Sequence, residues 1–209
     1  MNDSFALFNE PRRPWLDPEA LKQKFLPLSS ETHPDRFHSA SEAEKARATA
    51  KYSELNAAYN TLRESRDRLL HLLELERGAK PSDIQRIPPG TMDLFVEVGQ
   101  LCRDVDAFLA TRANVTSPLM KVQMFQQAIE WTDKLQALQL RINAKRDELT
   151  AELQQMNAAW DGAPGVGSPE RVSALPLERL EQVYRVFSYI ARWSEQIQER
   201  NLQLAAGSF

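Results

Sequence analysis

His33-Pro34-Asp35-Arg36-Phe37 lies between two segments of helical periodicity, and its reading decides the fold. Upstream, Leu21, Phe25 and Leu28 recur at i, i+4 and i+7; downstream, Tyr52, Leu55, Tyr59 and Leu62 recur at i, i+3, i+7 and i+10. Both spacings keep apolar side chains on one face of an α-helix. Pro34 has no N–H with which to extend the first helix, and its ring pushes His33 out of the α region, so the tripeptide is a loop joining the two. An antiparallel hairpin follows, with His33 and Asp35 at its tip.

Working outward, Asp17-Pro18-Glu19 starts the first arm of the hairpin: Asp17 is placed to cap, Pro18 suits the first helical position and Glu19 complements the dipole. Pro27 interrupts that arm. A proline there removes one hydrogen bond and meets the carbonyl of Gln23, at a cost of roughly 3 kcal/mol, so a bend or break is expected near Leu26 and Pro27. In Ser41-Glu42-Ala43-Glu44 the spacing is that of a capping box, which starts the second arm at about residue 42. It runs to Leu62 or Arg63. A short helix at Phe5 to Phe8 precedes the hairpin, and a Leu-rich helix over 65–77, with Gly78 as its C-terminal cap, follows it.

Residues 78–91 form a linker by composition, with Pro81, Pro88, Pro89 and two glycines. Beyond it every pattern is helical. Leu94, Val98, Leu101, Val105 and Phe108 line one face of a helix over 92–112; Ser117-Pro118 then repeats the cap and first-position signature. A long segment over 118–159 carries Leu119, Val122, Phe125, Ile129, Leu135, Leu138, Ile142, Leu149, Leu153 and Met156 near heptad spacing. Unbroken, it would extend roughly 60 Å. A Gly- and Pro-rich turn over 161–168 leads to a last helix over 177–204, with Leu180, Tyr184, Phe187, Ile190, Trp193 and Ile197 on one face. None of the three can bury its stripe alone, so an antiparallel three-helix bundle is the economical packing. The fold class is all-α, with domains expected at 1–77 and 92–204 on either side of the linker.

Composition narrows the function. The chain has 209 residues, 42% of them hydrophobic, and no apolar run near the ~20 residues that a spanning helix needs. Met1-Asn2-Asp3-Ser4 opens without a basic cluster and apolar stretch, so no signal or transit peptide is expected and the cytoplasm is the expected compartment. A formal net charge of −3 disfavours a nucleic-acid or anionic-membrane partner. The single Cys102 excludes an internal disulfide and a cysteine-rich zinc site, and it sits on an apolar helix face as a small hydrophobe. His38 and His71 lack ligand-spaced companions, so neither a metal nor another cofactor is expected. Trp131 and Trp160 fit either core or interface.

Together, the short first helix, the HPD loop and the ending Leu55-Asn56-Ala57-Ala58-Tyr59-Asn60-Thr61-Leu62 resemble a J-domain. Phe5-Ala6-Leu7-Phe8, Leu16-Asp17 and Leu72-Leu73-Glu74-Leu75 make the chain similar to the HscB family, co-chaperones of iron-sulfur cluster assembly, over its whole length. General DnaJ-type proteins follow the J-domain with a Gly/Phe-rich stretch and CxxC zinc modules; this chain has seven glycines and no CxxC. The CxxC module of organellar relatives is missing too.

The resemblance implies a chaperone-binding site and a client-binding site. In the first, His33, Pro34, Asp35 and Arg36 dock on the ATPase domain of a DnaK/HscA-type chaperone, with Asp35 pairing a partner arginine and Lys22, Lys24, Lys45, Arg47 and Lys51 supplying a positive face. The other reading of those cations is a solvated mixed surface, since Glu19, Glu31, Glu42, Glu44 and Glu54 are interspersed. Thr32 stands where J-domains usually carry Tyr or a similar residue. In the second, the stretch Leu94 to Asp104 matches the helix by which HscB proteins bind the scaffold IscU, which places Phe95, Val96, Gly99, Gln100 and Arg103 at the client site. Phe95 and Val96 keep its apolar part; the usual carboxylates are absent, with Gly99, Gln100, Arg103 and Ala107 in the places of one apolar and three acidic residues. The alternative reading makes Phe95 and Val96 bundle core.

The leading expectation is therefore a targeting factor, not an enzyme: it stimulates the ATPase of a DnaK/HscA-type chaperone and delivers an IscU-like scaffold. The rivals are a J-protein with a different client and a helical scaffold or oligomerisation protein with a degenerate J-domain. A hydrolase built on His33 and Asp35 lacks a nucleophile and an oxyanion donor.

Overall fold

The computed structural model describes residues 2–81 and 87–206. Among these, every regular element is helical: α1 Ser4–Leu7, α2 Pro18–Thr32, α3 Glu42–Arg63, α4 Ser65–Arg77, α5 Met92–Ala113, α6 Pro118–Asp161, α7 Arg171–Ala174 and α8 Leu177–Ala206, with a 3-10 turn at Pro34–Phe37. The expected linker over 78–91 includes residues 82–86, which lie outside the described residues. No described helix is long and apolar enough to cross a membrane.

The local signals act as their chemistry dictates. Asp17 accepts from the amides of Glu19 and Ala20 at the head of α2. Ser41 and Glu44 close the capping box at the head of α3, and Gly78 ends α4 in the left-handed region, at φ 72°, where a Cβ is unfavourable. Pro27 does not break α2, which is continuous from Pro18 to Thr32. The ring is on the exposed side of the helix, where water serves the carbonyl that the missing N–H leaves unpaired.

Two compact units result, Met1–Asp83 with Thr150–Tyr184 and Ile84–Leu149 with Arg185–Phe209. In the first, the α2/α3 hairpin buries Leu21, Leu55 and Leu62, together with Phe5 of α1 and Leu69, Leu72 and Leu73 of α4. Phe25 and Tyr59 stack across the hairpin with centroids 4.1 Å apart. Arg68 is buried in this core and donates to the carbonyls of Leu62 and Pro14, satisfying the end of α3. Burial pushes its pKa down to about 10, which still leaves it charged at neutral pH. The later segment is fastened to the loop before α2 by Asn157, which exchanges two 3.0 Å hydrogen bonds with the backbone of Trp15. Arg171 makes a second fastening, a two-pronged 2.8 Å ion pair with Glu76 in which both side chains are buried. α7, which carries Arg171, had no sequence signal of its own: four residues are too few for periodicity.

In the second unit α6 runs antiparallel to α5 and α8. Glu97 pairs with Arg141 and Phe108 meets Trp131, while Asp106 pairs with Arg200 and the Arg112 guanidinium donates to the Leu204 carbonyl. Val98, Val105, Leu135, Leu138, Ile142, Ile190, Trp193 and Ile197 are buried. The long stripe of α6 is not one face, however. Leu119, Val122, Phe125 and Ile129 are exposed, contrary to expectation. At 100° per residue they turn to the side opposite Leu135, Leu138 and Ile142, because the six-residue step from Ile129 to Leu135 rotates the stripe by about 240° instead of keeping it on one face.

Candidate functional site

The HPD loop occupies the turn between α2 and α3. His33 leaves the helix in the extended region, at φ −60° and ψ 130°, as the residue before a proline should. Pro34 then begins the 3-10 turn, closed by the Arg36 amide donating to the His33 carbonyl at 3.1 Å. His33 Nδ1 accepts the Asp35 amide at 3.3 Å and lies 3.6 Å from the Asp35 carboxylate. The ring stands edge-on to Tyr52 of α3, centroids 5.1 Å apart, which ties the loop to the second arm. The Asp35 carbonyl is engaged by His38 Nδ1 at 3.0 Å, yet the Asp35 side chain is 90% exposed. A rigid turn thus holds a solvated carboxylate outward, an arrangement suited to a charge-assisted bond with a cation on another molecule. Thr32 is buried and donates back to the Leu28 carbonyl at 2.7 Å, so the residue before the loop belongs to the hairpin interior.

Of the expected cations, Lys24 is held by Glu10 at 2.6 Å and Lys45 by Glu42 at 2.9 Å. Lys22, Arg36, Arg47 and Lys51 are exposed. Two of the interspersed acids are occupied locally, Glu44 by the capping box and Glu42 by Lys45. Its bonds to the Ser41 side chain and amide keep Glu44 below the usual carboxylate range.

On α5, Phe95 is 40% and Val96 58% exposed, so neither is bundle core. Met92, one turn earlier and also exposed, extends the patch and was missed in the sequence, although it stands at the i−3 position. Phe95 meets Tyr189 of α8 edge-on at 6.2 Å, and Tyr189 packs against Trp193 at 5.7 Å. Arg103 donates to Gln100 at 2.7 Å and Gln100 to Asp104 at 2.8 Å, forming a polar ladder beside the apolar patch. At Gly99 an added Cβ would lie 3.4 Å from the Arg103 guanidinium, an ordinary van der Waals contact. Cys102, two turns on from Phe95, is buried, and burial pushes its thiol up, away from the reactive thiolate. Among the described residues no group of three or more His, Cys, Asp or Glu side chains is placed to hold a metal ion.

Solved structures share this architecture. The human co-chaperone protein HscB aligns over 95% of this chain and 84% of its own, with a TM-score of 0.56 and 19% identity. The chain is HscB-like in fold. The chaperone HscB from Vibrio cholerae aligns over 93% of this chain and 99% of its own, at 21% identity and a TM-score of 0.47. No protein-family model matches the chain.

Proposed function

We propose that the protein is a J-type co-chaperone of iron-sulfur cluster assembly, one that stimulates ATP hydrolysis by a DnaK/HscA-type chaperone and brings it an IscU-like scaffold. The observation that carries this reading is the HPD loop, a pinned 3-10 turn that presents the Asp35 carboxylate to solvent at the tip of a helical hairpin. Residues 1–77 serve as the chaperone-contacting segment and 92–204 as the client-contacting one, joined by 78–91. In docking, Asp35 pairs with an arginine of the partner ATPase domain, His33 and Pro34 fix the loop, and Arg36, Lys22, Arg47 and Lys51 add long-range attraction, helped by Lys24 and Lys45 once their acids are displaced. Hydrolysis takes place in the partner, so this chain acts by population shift and not as an enzyme. Its setting is the cytoplasm.

Client contact is assigned to the patch of Phe95 and Val96, with Gly99, Gln100 and Arg103 at its margin; the exposure of the two apolar residues supports it. The Gln100/Arg103/Asp104 ladder replaces the acidic margin that the family usually has, which favours a scaffold with a less basic docking surface. A titration of the chaperone ATPase domain with the full chain tests the first part. Binding that weakens from 50 to 200 mM salt and drops at least about tenfold, or ~1.4 kcal/mol, in Asp35→Asn supports it; salt-indifferent binding untouched by that change contradicts it.

A further inference from the structure

The apolar patch of α5 does not stop at that helix. Phe95 leans edge-on against Tyr189 of α8, and the Arg192 guanidinium lies over the same Tyr189 ring, 5.9 Å from its centroid. One turn beyond Val96, the Arg103 guanidinium reaches back over Gly99. α5 and α8 run in the same direction, since Phe95 meets Tyr189 near their starts and Arg112 bonds the Leu204 carbonyl near their ends. Arg192 therefore stands level with the turn of α5 that holds Gly99. Neither guanidinium meets a carboxylate among the described residues: Arg103 donates to the Gln100 amide and Arg192 rests on Tyr189. The acids of α5 are engaged elsewhere. Glu97 pairs with Arg141, Asp106 pairs with Arg200, Asp104 accepts from Gln100, and Asp93 sits in the first turn, against the positive end of the helix. On α8, Glu195 and Glu199 lie one and two turns beyond Arg192.

Given that α5 receives the client, as proposed, we infer that the contact surface extends to Tyr189 and Arg192 of α8 and takes an acidic segment, one in which aliphatic side chains are flanked by carboxylates. The chemistry selects that partner. Met92, Phe95 and Val96 are exposed and offer the aliphatic side chains a place out of water. On either side, Arg103 and Arg192 present planar guanidinium forks, which receive a carboxylate through two parallel N–H···O bonds. Tyrosine and arginine are also among the residue types that carry most of the binding energy in protein interfaces. A basic segment would set its cations against both guanidiniums, with the carboxylates of Glu97, Asp104 and Asp106 already engaged. The sign of the charge is thus the property that separates this client surface from the acidic one usual in the family.

The test is a titration of the 15N-labelled full chain with two acetylated, amidated hexapeptides, Glu-Leu-Ile-Asp-Val-Glu and Lys-Leu-Ile-Lys-Val-Lys. The backbone amides of Val96, Gly99, Arg103, Tyr189 and Arg192 are followed. Saturable shifts of these amides by the acidic peptide below about 5 mM are expected, with the basic peptide at least about tenfold weaker at 50 mM salt and the gap narrower at 200 mM. The formal net charge of −3 works against this order, so a preference for the acidic peptide needs a locally basic surface. Arg192 is exposed, and Arg192→Glu is expected to reverse the preference without loss of folding, while Arg103→Gln weakens the acidic peptide about threefold or more. No saturable shifts, equal or tighter binding of the basic peptide, or an unaltered preference in both variants would overturn the inference. So would the same shifts on concentrating the chain alone, which would mean that a second copy covers the surface. An IscU-like scaffold titrated in parallel separates the two claims. If it moves these amides and the acidic peptide does not, the client stays on α5 and the charge assignment falls; if neither moves them, the client assignment falls as well.

Discussion

His71 shows what one residue can hold together. Its Nε2 accepts the Ser4 amide at 3.1 Å and its ring stacks on Phe5 at 5.9 Å, fixing α1 to α4. Burial lowers its pKa below 6.5, against the pull of Asp3 and Glu74 and with help from Arg12. The folded state therefore binds this proton less readily than the unfolded chain. Stability contributed by neutral His71 is complete above pH 6.5 and is lost as pH falls from there through the folded pKa. Melting temperature is expected to drop between pH 7.5 and 5.5, and His71→Gln, which keeps an acceptor for the Ser4 amide but cannot titrate, should flatten that drop. An unchanged slope in the variant would exclude His71 as its source. Asp3 acts in a separate window: burial works upward on its carboxyl, but the Arg12 bond and the amides of Ala6 and Phe5 outweigh it and lower the pKa. Its contribution is present above 3.8 and lost only as pH falls below that value. None of this was legible in the sequence, where His71 was simply a histidine without metal-ligand companions. The HPD residues were legible because Pro34 restricts the chain by itself, whereas the role of His71 depends on a partner 67 positions away.

At the scale of elements, the readable features were those with local causes. The Asp17 and Ser41 caps, the Gly78 end and the bounds of α3 and α4 all follow from side chain to backbone chemistry within one turn. Ser41→Ala is expected to cost about 1 kcal/mol in urea unfolding, because it opens the capping box. Pro27 was expected to bend or break α2; the helix is not broken, and the ring lies on its exposed side. Pro27→Ala should raise stability by about 1–3 kcal/mol, and no gain would mean that the helix is already bent to suit the ring. The Glu76 and Arg171 pair was beyond sequence reading, since its partners are 95 positions apart. Arg171→Ala, which leaves Glu76 buried and unpaired, is expected to cost about 3–5 kcal/mol in urea unfolding, while Glu76→Leu with Arg171→Met should cost far less. Equal losses in the single and double variants would contradict a buried-charge origin.

For the whole molecule, the all-helical architecture and the order of helices were legible from periodicity, but periodicity does not say which neighbour covers a stripe. α6 makes the point. Leu135 is fully buried, so Leu135→Ala is expected to cost about 2–5 kcal/mol, whereas Phe125→Gln, on the same apparent stripe but 51% exposed, should stay within about 0.5 kcal/mol. Phe95 and Val96 show the converse, apolar residues on a helix that prove to be surface. Where two chains must recognise each other, the sequence supplies the residue types and the fold supplies their exposure. Whether the HPD hairpin switches a chaperone ATPase is read from single-turnover ATP hydrolysis. The assay uses a DnaK/HscA-type chaperone with the full chain as wild type, His33→Gln and Asp35→Asn, each with and without an IscU-like scaffold. Acceleration by the wild type alone, greater with the scaffold present, is the predicted result. A rate that the wild type leaves unchanged, or one that both variants raise equally well, would contradict the account.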